Sequence, residues 1–217
     1  MLYVSRNPVI ERKRNIPLNL ERKNTMPEEL EIEFKNMLTQ GEFNCIKKHF
    51  SFTDKDFTLQ KNHYFDTLAN DLREKQCALR IREKNGKFEF TLKQPADGGL
   101  LETNQTITEH ESSKMLAEGF IPPGEVESAL KKLGIETKKF LHFGTLSTKR
   151  AESRYKDGLM VLDYSFYLNN EDFELEYEVN DRESGQEKFF DFLKTMNIPI
   201  RHADNKIKRF LRAVISD

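Results

Sequence analysis

The sequence predicts an α+β fold in which antiparallel strands close into a barrel around a charged interior, with amphipathic helices packed on the outside. Three observations point there. Several segments alternate with period two between an apolar and a charged face. The charges segregate by sign: Glu29, Glu31 and Glu33 share one strand, Arg80 and Arg82 another, Glu174, Glu176 and Glu178 a third. The helices between strands are amphipathic, which would cover the apolar faces and leave the charged faces inside. Alternation alone also fits a sheet with one face in water. Segregation argues against that, because like charges on adjacent positions repel and a solvated sheet mixes signs.

Length and composition bound the rest. At 217 residues, without repeats or an obvious linker, the chain reads as one domain over 26–217. Its 35 Lys+Arg nearly balance 36 Asp+Glu, so there is no overall basic footprint and no nucleic-acid partner is expected. No apolar run approaches the ~20 residues that span a bilayer, and no apolar leader suggests secretion. Cys45 and Cys77 lack ligand spacing and read as reduced structural thiols of a cytoplasmic protein. Residues 1–25, with six Lys/Arg against two Glu and two prolines, read as a disordered basic extension.

In order, Glu29 to Lys35 is the first strand, with Leu30, Ile32 and Phe34 on its apolar face. Thr39 and Glu42 form a capping box that opens a helix with Phe43, Ile46 and Phe50 as its stripe. Phe57 to Asp66 and Cys77 to Glu83 are strands, and Asn85-Gly86 predicts a type I′ hairpin into Lys87–Lys93. After a loop at Pro95 and Gly98-Gly99, Leu100 to Ile107 is a strand. Thr108 and Glu111 cap a helix stopped at Gly119, and Pro122-Pro123-Gly124 introduces another ending near Gly134. Phe140 to Tyr155 turns at Asp157-Gly158 into Leu159–Tyr167, and Asp172 to Asn180 is the last strand. Ser184 and Glu187 are read as a third capping box before a helix bearing Phe189, Phe192 and Leu193; beyond Pro199 a final helix spans about Asp204 to Val214.

Carboxylates at i and i+2 on a strand sit only ~6.5–7 Å apart, so an acidic row needs water, cations or a metal to offset its repulsion. Two acidic strands could hold a hard divalent cation through oxygen ligands. Lys35, Arg80, Arg82, Lys93 and Arg150 could grip a polyanion, the arginines bidentately. Glu29, Lys87, Lys208 and Arg212 are expected to be solvated, and His63, His110, His142 and His202 show no ligand spacing. Glu89 fits equally a tunnel residue or a cross-strand partner of Arg80 or Arg82.

The Glu31-x-Glu33-x-Lys35 strand resembles the hallmark of the CYTH domain, part of the triphosphate tunnel metalloenzyme superfamily. Tyr64-Phe65-Asp66-Thr67, Leu79-Arg80-Ile81-Arg82, Thr91-Leu92-Lys93-x-Pro95, Arg150, Asp163, Glu174/Glu176/Glu178 and Lys206 follow in the family's order, covering about residues 26–215. The resemblance implies an eight-stranded antiparallel β-barrel whose tunnel binds a triphosphate with Mg²⁺ or Mn²⁺. It implies Glu31, Glu33, Glu176 and Glu178 as catalytic metal-site residues, with Asp163 and Glu174 as further acidic groups. It assigns Lys35, Arg80, Arg82, Lys93, Arg150 and Lys206 to phosphate. The implied activity is metal-dependent triphosphate hydrolysis; adenylate cyclase chemistry and a non-catalytic polyphosphate- or nucleotide-binding module are the alternatives. One departure stands out: many relatives carry an R-x-E pair where this chain reads Leu101-Glu102-Thr103-Asn104-Gln105.

Overall fold

The computed structural model describes residues 28–216, excluding the side chains of residues 215 and 216. The basic segment 1–25 therefore lies outside the described residues. Eight strands, β1 (Glu28–Leu38), β2 (Thr58–Asp66), β3 (Ala78–Lys84), β4 (Lys87–Ala96), β5 (Gly99–Ile107), β6 (Leu141–Tyr155), β7 (Gly158–Tyr167) and β8 (Asn170–Val179), close in the order β1-β5-β4-β3-β2-β6-β7-β8. Every pairing is antiparallel. Two meanders, β2–β5 and β6–β8, are joined directly by the β2–β6 pairing and on the other side by β1, which changes partner midway. Glu28–Glu31 pair with β5 and Ile32–Leu38 with β8, so a seam opens where β1 parts from the start of β5.

The apolar faces of the strands point outward, under helices. The outer faces of β3 to β5 (Leu79, Ile81, Phe90, Leu92) pack on Leu72 of α2 (Asp71–Glu74), Met115 of α3 (Glu109–Glu118) and Val126 and Leu130 of α4 (Glu125–Lys132). The outer faces of β1, β7 and β8 pack on Phe43 and Ile46 of α1 (Gln40–His49) and on Phe189, Phe192 and Leu193 of α5 (Arg182–Thr195). Burying each such side chain contributes ~1.5–3 kcal/mol, so the helices hold the barrel from outside while its interior stays polar. A third cluster lies inside one end. Tyr64, Leu146 and Tyr167 meet Phe210 of α6 (Lys206–Ser216), which closes that end. Gly144 permits this approach, for at its φ of +154° a Cβ would stand 2.3 Å from the Phe210 ring.

The predicted local signals recur with two corrections. Thr39 and Thr108 form their capping boxes, Gly119 ends α3 in a left-handed conformation, and Asn85 and Gly86 take φ of 52° and 71°. The box at Ser184 and Glu187 does not form. Asp181 caps α5 instead, its carboxylate accepting from the Ser184 amide at 2.9 Å, because a charged acceptor suits the helix N-terminus. The strand expected to stop at Lys93 continues through Pro95 to Ala96, close to the hairpin end where Pro95 faces Leu100. The 3₁₀ turn Asp54–Asp56 and α2 were not evident in the periodicity, being too short to show one. Among the described residues no helix is long and apolar enough to cross a membrane, and Cys45 and Cys77 are free thiols.

Candidate active site: a charged tunnel

Strand pleat brings the predicted charges together. Glu31, Glu33 and Lys35 of β1, Arg80 and Arg82 of β3, Lys93 of β4, Arg150 of β6, Asp163 of β7, and Glu174, Glu176 and Glu178 of β8 lie on the strand faces opposite the outer cores. Lys206 reaches the same interior from the first turn of α6. Beside the seam lies a cavity of about 220 Å³ lined by Glu31, Glu33, Lys35, Gly99, Arg182 and Asn205. A larger groove of about 360 Å³, outside the barrel near Thr103 and the start of α4, contains none of the predicted site residues.

On the side under α6 the charges are matched. Arg150 donates bidentately to Asp163, at 2.8 and 2.6 Å, and to Glu176 at 2.7 Å. The Lys206 ammonium touches Glu176 at 2.5 Å, Glu174 at 2.6 Å and Asp163 at 2.9 Å. Arg209 binds Glu174 at 2.7 Å and Asp172 at 3.0 Å. Burial raises the Glu176 carboxyl, but Lys206 and Arg150 outweigh it and hold it well below its ordinary value. Asp163 is lowered against burial by Arg150 and Lys206.

At the seam the balance reverses. Glu178 stands opposite Glu33 on the neighbouring strand, and Glu31 is two positions along β1. Burial pushes Glu178 up to about 7; Arg150 opposes this, while Glu176, Glu31 and Glu33 add to it. Glu31 is likewise raised to about 7 by burial, Glu33 and Glu102, against the attraction of Lys93. Lys35 pairs with Glu33 at 2.6 Å and lies 3.7 Å from Glu176. Lys93 contacts both Glu31, at 2.6 Å, and Glu102.

The third group is cationic. Arg80 is enclosed, and its buried Nε has no hydrogen-bond partner among the described residues. Burial, then Arg80 and Arg150, push the Arg82 guanidinium down to about 10, and Asn62 accepts from its Nε at 3.1 Å. An orphaned guanidinium donor beside two further arginines is a place for a polyanion.

A divalent cation fits the seam by donor chemistry. Glu31, Glu33 and Glu178 offer carboxylate oxygens, the ligands Mg²⁺ and Mn²⁺ favour, and their mutual repulsion is what such a charge relieves. Among the described residues no three Asp, Glu, His or Cys side chains are gathered as a ready cage. Glu31 and Glu33 are turned to Lys93 and Lys35 instead.

Glu29 and Lys87 are exposed, and Lys208 and Arg212 pair at the surface with Asp204, as expected of solvated groups. Glu89 is half-buried and stands opposite Arg82 in the β3–β4 register, the position expected of a cross-strand partner. His63 and His142 sit about Thr145. Sequence reasoning missed Glu102, Arg209 and Asp172. Glu102 was legible from the period of its strand, and Arg209 from its i+3 spacing to Lys206.

Comparison with known proteins agrees with this geometry. Residues 29–211 match the CYTH domain. "Putative triphosphatase YjbK" of Bacillus subtilis is 51% identical over 185 residues, 85% of this chain and 96% of that protein. A crystal structure of a "putative adenylate cyclase" from Bacillus halodurans superposes with a TM-score of 0.83 at 44% identity, covering 85% of this chain and 99% of that one. A Hippeastrum "putative adenylyl cyclase", described as having a dominant triphosphatase activity, shares the fold with a TM-score of 0.73 at 23% identity, over 85% and 96% of the two chains. With an eight-stranded tunnel, its charge pattern and a match over most of its length, this chain belongs to the CYTH domain family.

Proposed function

We propose that the protein is a metal-dependent triphosphatase that cleaves the terminal phosphoanhydride of inorganic triphosphate or of a nucleoside or other organic triphosphate. The observation that carries this reading is the buried Arg80 donor, unpartnered among the described residues, in the same interior as Arg82, Arg150 and the under-compensated carboxylates Glu31 and Glu178. The 51% identity to a protein named a "putative triphosphatase" supports it. Arg80, Arg82 and Arg150 hold phosphate oxygens through several donors each, while Lys35, Lys93 and Lys206 act as point charges along the chain of phosphates. Glu31, Glu33 and Glu178 would hold Mg²⁺ or Mn²⁺, with Glu176 beside them. When bound, the metal supplies Lewis-acid polarisation of a phosphoryl oxygen. The enclosed tunnel orients the terminal phosphorus for in-line attack by water, and no covalent nucleophile is required. Asp163 and Glu174 serve to hold Arg150 and Lys206 in place. The free thiols suit the cytoplasm.

The test is a screen of the purified protein with Mg²⁺ and Mn²⁺ against inorganic triphosphate, ATP and thiamine triphosphate. Release of orthophosphate supports the hydrolase. The description of the 44% identical structure as a cyclase gives a second reading, in which the ATP 3′-hydroxyl replaces water. Cyclic AMP with pyrophosphate would establish that instead, and tight binding without turnover would establish a binding module.

A further inference from the structure

Lys93 lies between two carboxylates that come from different strands. Glu102 is its register partner across β4–β5, whereas Glu31 reaches it from β1, one strand further on. The ammonium contacts both Glu31, at 2.6 Å, and Glu102. All three side chains are largely enclosed, at 14–20% exposure, so the contacts are shielded from water and salt. Glu102 is itself held. Asn104 donates to its Oε2 at 3.4 Å, and the Asn104 carbonyl accepts from the fully buried Thr91 hydroxyl at 2.7 Å.

A lysine is one charge with three donors, and what it gives one carboxylate it withholds from the other. A divalent cation binding at the seam must take Glu31 away from Lys93, at a cost set by how firmly Lys93 holds Glu31. With Glu102 present the lysine keeps a partner after Glu31 leaves. Without Glu102, releasing Glu31 would strand a buried ammonium, and stranding a buried charge is costly.

Resting on the triphosphatase reading above, we propose that Glu102 is a positioning residue for the cation site: it retains Lys93 and so makes Glu31 available to the metal. This gives a role to the acidic residue of the stretch in which the arginine of the R-x-E pair is missing. It also makes cation affinity a property of a three-residue switch instead of the seam carboxylates alone.

The experiment measures Mn²⁺ uptake without substrate, from loss of the EPR signal of the free hexaaqua ion, for wild type, Glu102→Gln, Lys93→Met and the double variant. Each is checked for native circular dichroism. Glu102→Gln should weaken Mn²⁺ binding roughly tenfold, within the usual range of site-to-site coupling. On the Lys93→Met background the same change should cost less than about twofold. Glu102→Asp, which keeps the charge but falls short of Lys93, should reproduce much of the loss and covers the case of a poorly folded Gln variant. Unchanged affinity in Glu102→Gln would overturn the proposal, as would an equal loss with and without Lys93, which would make Glu102 act on the cation directly. No uptake by wild type would overturn the metal reading itself and this proposal with it.

Discussion

The two sides of the tunnel carry similar residues and opposite balances. Under α6, Asp163, Glu174 and Glu176 face Arg150, Lys206 and Arg209, and the carboxyls of Asp163 and Glu176 are held below their ordinary values. At the seam, Glu31 and Glu178 are raised to about 7, because burial and neighbouring glutamates outweigh the cations near them. The first arrangement is a closed ion-pair network that ties a helix into a barrel. The second is a deficit of positive charge that a ligand can fill. Residue type therefore does not separate a candidate cation site from an ion-pair network; the local balance does.

The largest effect should come from the matched side. Arg150→Met removes the bidentate partner of Asp163 and one of the cations against Glu176, leaving Lys206 to hold both, and should destabilise the protein by ~3–5 kcal/mol in urea unfolding, because buried negative charge is left under-compensated. An unchanged midpoint would mean that this network carries no stability. Next, Gly144→Val combines a φ that L side chains rarely adopt with a clash against Phe210, and should cost ~1–3 kcal/mol. It should also speed amide exchange in α6 before the barrel strands, which hydrogen exchange resolves.

The seam should respond in the opposite sense. For a carboxyl raised from 4.5 to about 7, the folded state binds more protons than the unfolded chain across that interval, so stability falls as pH rises through it. In chelator, thermal melts from pH 5 to 8 should show a decline to which each of the two carboxyls contributes up to about 2–3 kcal/mol. Glu178→Gln should remove about half of that decline while abolishing turnover. A decline unaltered in this variant would place its origin elsewhere. The smallest effect belongs to the surface: Lys208→Ala should change stability by less than about 0.5 kcal/mol, since it removes only an exposed pair with Asp204.

The strands and their faces were legible because a charged interior preserves the same period-two alternation as a solvated face, and segregated signs broke the tie. Closure at β1–β5 and β1–β8 was not legible from local pattern, since it depends on where β1 changes partner. In the site, the six cations and six acidic groups could be named, but not their division into matched and unmatched sets. That division rests on Arg209 and Asp172, which come from distant segments, and on Glu102. The cap at Asp181 shows the same limit on a smaller scale, for two overlapping signals were present and the charged acceptor prevailed.

The central claim, that the seam and not the α6 side takes the cation, is tested most directly by the Mn²⁺-induced shift in melting temperature at pH 8. Wild type should be stabilised, Glu31→Gln should show little or no shift, and Glu174→Gln should keep the full shift on a lower baseline. Retention of the shift in Glu31→Gln together with its loss in Glu174→Gln would contradict the account.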